Sequence, residues 1–141
     1  MNVKFEALNL NQELDISDQN CALKSGVYFS NNGKCYVRSS EKTDKWDDAK
    51  ARCKEDGGVL ATIANQATHD FFVRYFDGAT MMGAERKGNW SWEDGTPWTG
   101  FANWGNNEPN EGDNTFLMIN GRMWWDVKKS GSYSYYYLCQ Y

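Results

Sequence analysis

Four cysteines, Cys21, Cys35, Cys53 and Cys139, constrain this chain more than any other feature. None is left over after pairing, and no two stand at the Cys-x2-Cys spacing of a zinc knuckle. The set therefore reads as a disulfide framework suited to an oxidising, extracellular compartment. Three pairings are open. Cys21 and Cys35 flank a turn-rich stretch, Tyr28-Phe29-Ser30-Asn31-Asn32-Gly33, between two apolar segments, as a hairpin staple would, which leaves Cys53 for Cys139. That second bond would close a loop of nearly the whole domain. Loop entropy assigns the two staples about 3 and about 4 to 5 kcal/mol.

At 141 residues the chain is long enough for one domain with its own core and too short for two. Charged residues make up 24% of it, and no apolar run approaches the roughly 18 residues of a spanning helix, so neither a membrane span nor wholesale disorder fits. The 15 Lys and Arg are scattered against 19 Asp and Glu, for a net charge of -4, which argues against a nucleic-acid partner. Seven Trp, eight Tyr and thirteen Gly against two Pro suggest a loop-rich surface where flat amphipathic rings meet tightly turned backbone. Such a surface suits carbohydrate or protein contact better than deep-pocket catalysis. No positively charged leader with an apolar stretch precedes position 20, so the chain reads as a mature or trimmed form.

No repeat, low-complexity tract or linker is legible. Residues 1–20 carry a loose alternation, Val3 and Phe5, then Leu8 and Leu10, and are expected as an amino-terminal extension or edge strand. A capping residue at Thr43 or Asp44 ahead of Trp46, Ala49 and Cys53 predicts a helix that Gly57-Gly58 ends, with Cys53 on its buried face. A second helix is predicted from Asn65 to Phe76, with Phe72 and Phe76 on one side, Asp70 and Arg74 on another, and Gly78 as its stop. From Ala79 onward the pattern changes to short strands at 90–92, 116–119, 123–127 and 135–139. Helices first and a small sheet after is an α+β layout.

Oxygen-bearing residues crowd the loop between these strands. Glu108, Asn110, Glu111, Asp113 and Asn114 fall within seven positions, and Asp126 follows on a later strand. Ca²⁺ takes six to eight oxygens from carboxylates, amides and carbonyls, which such a loop can supply. The helix-loop-helix calcium motif is rejected, because counting from Asn106 its obligatory Gly position is Glu111, and Pro109 would sit mid-loop. On composition alone the loop could equally be a solvated turn. The order of residues around it decides.

Gly26-Val27-Tyr28-Phe29 leads to Cys35-Tyr36. Trp46-Asp47-Asp48-Ala49 runs through Cys53 to Gly57-Gly58-Val59-Leu60-Ala61-Thr62-Ile63. Met82-Gly83-Ala84 precedes Trp90-Ser91-Trp92-Glu93-Asp94-Gly95-Thr96-Pro97 and Trp104-Gly105-Asn106-Asn107-Glu108-Pro109-Asn110, and Trp124-Trp125-Asp126 and Leu138-Cys139-Gln140 close the series. In this order and spacing the segments resemble the C-type lectin-like domain family in its long form, over residues 21–141. The resemblance implies an α+β fold of two helices and small antiparallel sheets with a long calcium and ligand loop region.

It also implies a function: a Ca²⁺-dependent carbohydrate-binding lectin, secreted or extracellular, whose partners are glycans. Glu108, Asn110, Asp113 and Asp126 would ligate the ion, Glu111 or Asn114 competing for the place given to Asp113. Glu108 as acceptor and Asn110 as donor would also take one sugar hydroxyl between them. The Glu108-Pro109 bond is expected to be cis. Glu-Pro-Asn goes in this family with mannose, glucose, N-acetylglucosamine or fucose, whereas galactose relatives usually carry Gln-Pro-Asp. Trp98 and Trp125 border the site and could stack on the apolar face of galactose, so both belong with the carbohydrate-binding candidates. The alternative for Trp125 is core packing, which is the expectation for Trp90, Trp92, Trp104 and Trp124.

Three departures from the pattern matter. Trp125 stands where the family has an Asn that would ligate Ca²⁺ and donate to the second hydroxyl. Thr115 stands where a cysteine of a second inner disulfide would be, and Gly83-Ala84-Glu85-Arg86-Lys87 lacks the acidic pair of an auxiliary calcium site. The indole and the exposed-aromatic candidates in 133–137 keep an alternative open, a domain of this family that binds a protein, or ice, without calcium-dependent sugar recognition. An enzyme is not expected: Glu108 with Asp113 or Asp126 resembles a glycosidase pair, but a shared Ca²⁺ would keep both ionised and spoil the acid role. His69, the only histidine, is expected in a surface or half-buried place on its helix, and the sequon Asn89-Trp90-Ser91 inside a Trp-rich strand is expected to be unmodified. No coiled-coil neck is legible, so multivalency through a homo-oligomer would come from other surfaces.

Overall fold

The structure, a computed structural model, describes residues 16–141. Residues 1–15, most of the expected extension, lie outside the described residues. Residues 16–20 are helical and not an edge strand, and belong to α1 (16–23), whose Cys21 is buried. Both expected disulfides are present, Cys21–Cys35 and Cys53–Cys139. The first does not join the arms of the hairpin β1 (Val27–Phe29) and β2 (Lys34–Arg38) but ties α1 to β2. Gly26 makes room for it, since a Cβ there would lie 2.6 Å from Cys35 Sγ.

Helix α2 (Trp46–Glu55) starts later than the predicted cap at Thr43 or Asp44. Its N-cap is Lys45, which supplies no side-chain hydrogen bond, while Thr43 is engaged in a β-bridge with Tyr135. The helix is held by its apolar stripe Trp46, Ala49 and Cys53, all essentially inaccessible, with Asp47 and Asp48 favouring the positive end of the dipole. After β3 (Val59–Leu60) comes α3 (Gln66–Tyr75), capped by Asn65, whose side chain accepts from Thr68 N at 2.9 Å.

The remaining strands are β4 (Thr80–Lys87), β5 (Asn89–Trp92), β6 (Thr115–Asn120), β7 (Met123–Lys128) and β8 (Tyr136–Gln140). They form one sheet in the order β1-β2-β8-β4-β6-β7, with β3 on β8 and β5 on β4. The sheet is mixed, since β4 and β8 run parallel where only antiparallel pairing was expected. Strand β4 was not foreseen. It is buried from Thr80 to Ala84 and so lacks the alternation that marks a half-exposed strand. Gly83 lets it approach the chain after β3: its N–H reaches Ala61 O at 2.8 Å, and a Cβ would sit 2.4 Å from Leu60 O.

Hydrophobic side chains pack on both faces of this sheet. One cluster gathers Tyr36, Ile63, Phe72, Met82, Trp92, Leu117, Ile119, Trp124 and Leu138. The other gathers Trp46, Cys53, Leu60, Met81, Phe116, Met118 and Cys139. Along β6 successive residues alternate between the two, which is why that strand reads as continuously apolar. The Cys53–Cys139 bond spans 86 residues of sequence, and replacing both cysteines by serine is expected to lower unfolding free energy in urea by about 4–5 kcal/mol. A loss below about 1 kcal/mol would show that denatured-chain entropy is not what this staple limits.

Candidate functional site

The expected ligand loop is laid against β7 by its backbone. Trp104 forms a parallel bridge with Trp124, Trp124 N donates to Asn103 O, and Gly105 N donates to Trp124 O at 3.0 Å. The chain then turns, with Glu108 N donating to Gly105 O at 3.0 Å, and the Glu108–Pro109 peptide is cis as expected. Two residues beyond Trp124, Asp126 takes hold of the segment that follows the proline. One of its carboxylate oxygens accepts from Asn110 N at 2.9 Å and the other from Glu111 N at 2.7 Å. Asp126 is 4% exposed, and a carboxylate that far from water needs such charge-assisted bonds to remain there.

Glu108 lies beside it without comparable support. Its Oε2 is buried and has no hydrogen-bond partner among the protein groups. Burial, then the neighbouring Asp126 carboxyl, push the Glu108 carboxyl up to about 7, with Glu111 adding to the repulsion. Buried acceptors left unpaired are uncommon and costly. A hard cation between the two carboxylates would answer both the orphaned oxygen and the repulsion, and carboxylate and amide oxygens are the ligands Ca²⁺ takes. Among the described residues no group of three His, Cys, Asp or Glu is gathered closely enough to hold a metal by itself. Amide, carbonyl and water oxygens would therefore complete the shell.

The other candidates sit around this pair. Asn110 is exposed beside it. Asp113 is exposed and engaged elsewhere, accepting from Gly88 N at 3.1 Å and lying 3.6 Å from Arg86 Nε at the β4–β5 turn. The second acid with an electrostatic effect on Glu108, after Asp126, is Glu111, itself 3.7 Å from Lys128 Nζ. Trp125 alternates with Asp126 along β7, is half-buried, and packs against the cluster around Trp46 while its ring also reaches the ligand loop beside Gly105 and Glu108. Trp98 stacks on Trp90 and Trp92, with ring centroids 5.5 and 5.2 Å away. Trp92 and Trp124 are core as expected, whereas Trp90 and Trp104 are only half-buried and line an open pocket. Thr115 is fully buried and donates its hydroxyl to Gly112 O at 2.9 Å, closing the loop where the inner disulfide is lacking. Asn89 opens β5 and is exposed.

His69 was misplaced by the sequence reading. It is 2% exposed, and its Nδ1 accepts from Trp124 Nε1 at 3.0 Å. The signal was present, since His69 precedes Phe72 and Phe76 at helical i, i+3, i+7 spacing and so belongs to the same buried stripe. Burial chiefly lowers its pKa below the ordinary 6.5, with Asp70 opposing. A group whose folded pKa is depressed, and which is neutral when deprotonated, contributes its full stability above 6.5 and loses it as the pH falls through 6.5 toward the folded value.

Two measurements check this arrangement. Asp126→Ala removes both acceptors and is expected to cost about 2–4 kcal/mol in urea unfolding, whereas a cost below about 1 kcal/mol would mean that the loop is held by other contacts. Between pH 7.5 and 5 loss of the His69 contribution opposes the gain from the raised Glu108 carboxyl, so the stability of His69→Gln should fall less, or rise more, than that of the parent protein. Equal slopes would remove His69 as the cause.

Comparison with known proteins agrees with this geometry. The family model "Lectin C-type domain" matches residues 42–141. Human C-type lectin domain family 17, member A is 32% identical over 117 residues, 77% of this chain and 29% of that protein. This chain spans well under half the length of that and other curated relatives. The cow C-type carbohydrate-recognition domain of CD23, crystallised with GlcNAc2Man3 oligosaccharide, superposes with a TM-score of 0.69 at 26% identity, over 82% of this chain and 92% of that one. A calcium-independent type II antifreeze protein shares the fold, with a TM-score of 0.68 at 24% identity over 77% and 85% of the two chains. The fold is thus α+β of the C-type lectin kind, that of a domain family of carbohydrate and protein binders and not of enzymes. The chain belongs to the C-type lectin domain family.

Proposed function

We propose that the chain is a Ca²⁺-dependent carbohydrate-binding domain whose site is built on Glu108, Asn110 and Asp126, with Glu111 or Asp113 as a further acid. The observation that carries this reading is the buried, unpartnered Oε2 of Glu108 beside the Asp126 carboxylate. When bound, the ion would polarise and hold sugar hydroxyls through its open coordination positions. The chain's own residues do the rest. Asp126 keeps the 110–111 backbone fixed and presents a carboxylate, Glu108 accepts a hydroxyl proton, and the Asn110 amide donates to the same hydroxyl.

The order of acceptor and donor in Glu108-Pro109-Asn110 favours neighbouring hydroxyls of the mannose, glucose, N-acetylglucosamine or fucose type. Galactose stacking on Trp125 remains the second reading, because that half-buried indole lies beside Gly105 and Glu108. Two disulfides and relatives named as receptors favour an extracellular setting. Among the described residues no helix is long and apolar enough to cross a membrane.

Calorimetric titration should show Ca²⁺ binding in the range of about 10⁻⁴ to 10⁻³ M that extracellular modules display, and heat with mannose or N-acetylglucosamine only once that site is filled. Glu108→Ala should abolish both heats while the protein stays folded in chelator. Absence of calcium heat at millimolar concentration would overturn the reading and turn the search to a calcium-independent partner.

A further inference from the structure

We propose that the open pocket between the β4–β5 turn and the loop over 98–109 is a second sugar subsite, which takes a neutral pyranose adjacent in the glycan to the residue held at Glu108 and Asp126. The inference rests on the lectin reading and extends it.

The pocket measures about 480 Å³, within the range of small-ligand sites, and its walls carry Trp90, Trp98 and Trp104 together with Arg86, Asn89 and Pro109. The tryptophans form two layers. Trp92 and Trp124 beneath are 5% and 0% exposed, so the core has absorbed them. Trp90, Trp98 and Trp104 above are half-buried and pack on one another, with Trp90 5.5 Å from Trp98 and 5.3 Å from Trp104 between centroids, yet nothing among the described residues covers their outer surface. A concave wall of half-covered indoles marks a binding surface more than a core.

Three observations select the occupant. Pro109 is a wall of the pocket and also joins Glu108 to Asn110, so the two sites are contiguous and one glycan can fill both. Arg86 is within 3.6 Å of Asp113, so its charge is compensated inside the protein and the pocket has no call for an anion. The pocket is open to solvent, with indole on one side and Asn89 and Arg86 at the edge. A pyranose suits that division, resting its C–H face on the rings and turning hydroxyl or acetamido groups to the polar edge, whereas an alkyl chain would keep apolar surface in water.

The test uses calorimetry of the chain in saturating Ca²⁺ with mannose, N-acetylglucosamine, the α1-2, α1-3 and α1-6 mannobioses, and N,N'-diacetylchitobiose. At least one disaccharide should bind about tenfold tighter than its monosaccharide, and Trp90→Leu should bring that ratio to within about twofold of one. Indole N–H resonances of the parent protein supply a readout independent of any variant. Those of Trp90, Trp98 and Trp104 should shift with the tighter disaccharide and not with its monosaccharide. No disaccharide advantage, or an advantage that persists in Trp90→Leu with silent indoles, overturns the subsite. Failure of every monosaccharide to bind in Ca²⁺ instead overturns the lectin reading on which it rests.

Discussion

Trp124 is where the core and the ligand loop become one object. Its side chain is fully buried and its indole N–H is bound to His69 of α3, while its backbone carries Asn103 on one side and Gly105 on the other. A loop rich in Asn and Gly has no apolar stripe of its own and would otherwise spend conformational entropy to adopt any single course. Here that course is inherited from a strand whose indole cannot shift without opening the aromatic cluster. Asp126 extends the same control two residues further, since the alternation of β7 sends its carboxylate to the loop side along with the indole of Trp124.

The cost of this precision is electrostatic. Asp126 is stabilised by two backbone donors, but the Glu108 carboxyl beside it has none for one oxygen and sits between burial and a like charge. Structure and charge therefore pull in different directions at one point of the fold, and a site so arranged is a natural place for a cation to act. The loop also has fastenings of its own. Asp126, the Thr115 hydroxyl on Gly112 O and the Asp113 contacts to Gly88 and Arg86 all fasten it from within the chain. The Ca²⁺ proposed for this site would accordingly neutralise charge as well as add to these contacts.

Much of this was readable before any coordinates. The apolar stripe of α2, the start of α3 near Asn65 and both disulfide pairs follow from residue types and spacing, and the cis bond before Pro109 from the family resemblance. What escaped did so for definite physical reasons. Strand β4 is buried on both faces, so the alternation that would announce it is missing. His69 looked like a surface or half-buried residue because its partner, the Trp124 indole, lies 55 positions away in sequence. The place of Asp113 was equally invisible, because its choice between the ligand cluster and Arg86 depends on where a hairpin turn happens to end. Half-burial of Trp90 and Trp104 could not be inferred from strand position, since it reflects a concavity formed by separate loops.

The position of β8 bears on how the molecule comes into being. It is the last strand in chain order, yet it lies inside the sheet, with β2, β3 and β4 all pairing to it. Neither sheet face can close until residues 136–140 have emerged during synthesis. Until then Cys53 waits for Cys139 with its thiol available to Cys21 or Cys35, both already made. Maturation of this domain therefore waits on its last strand, with a built-in opportunity for wrong disulfides, and its yield in a cell should depend on the capacity of the compartment to reshuffle them.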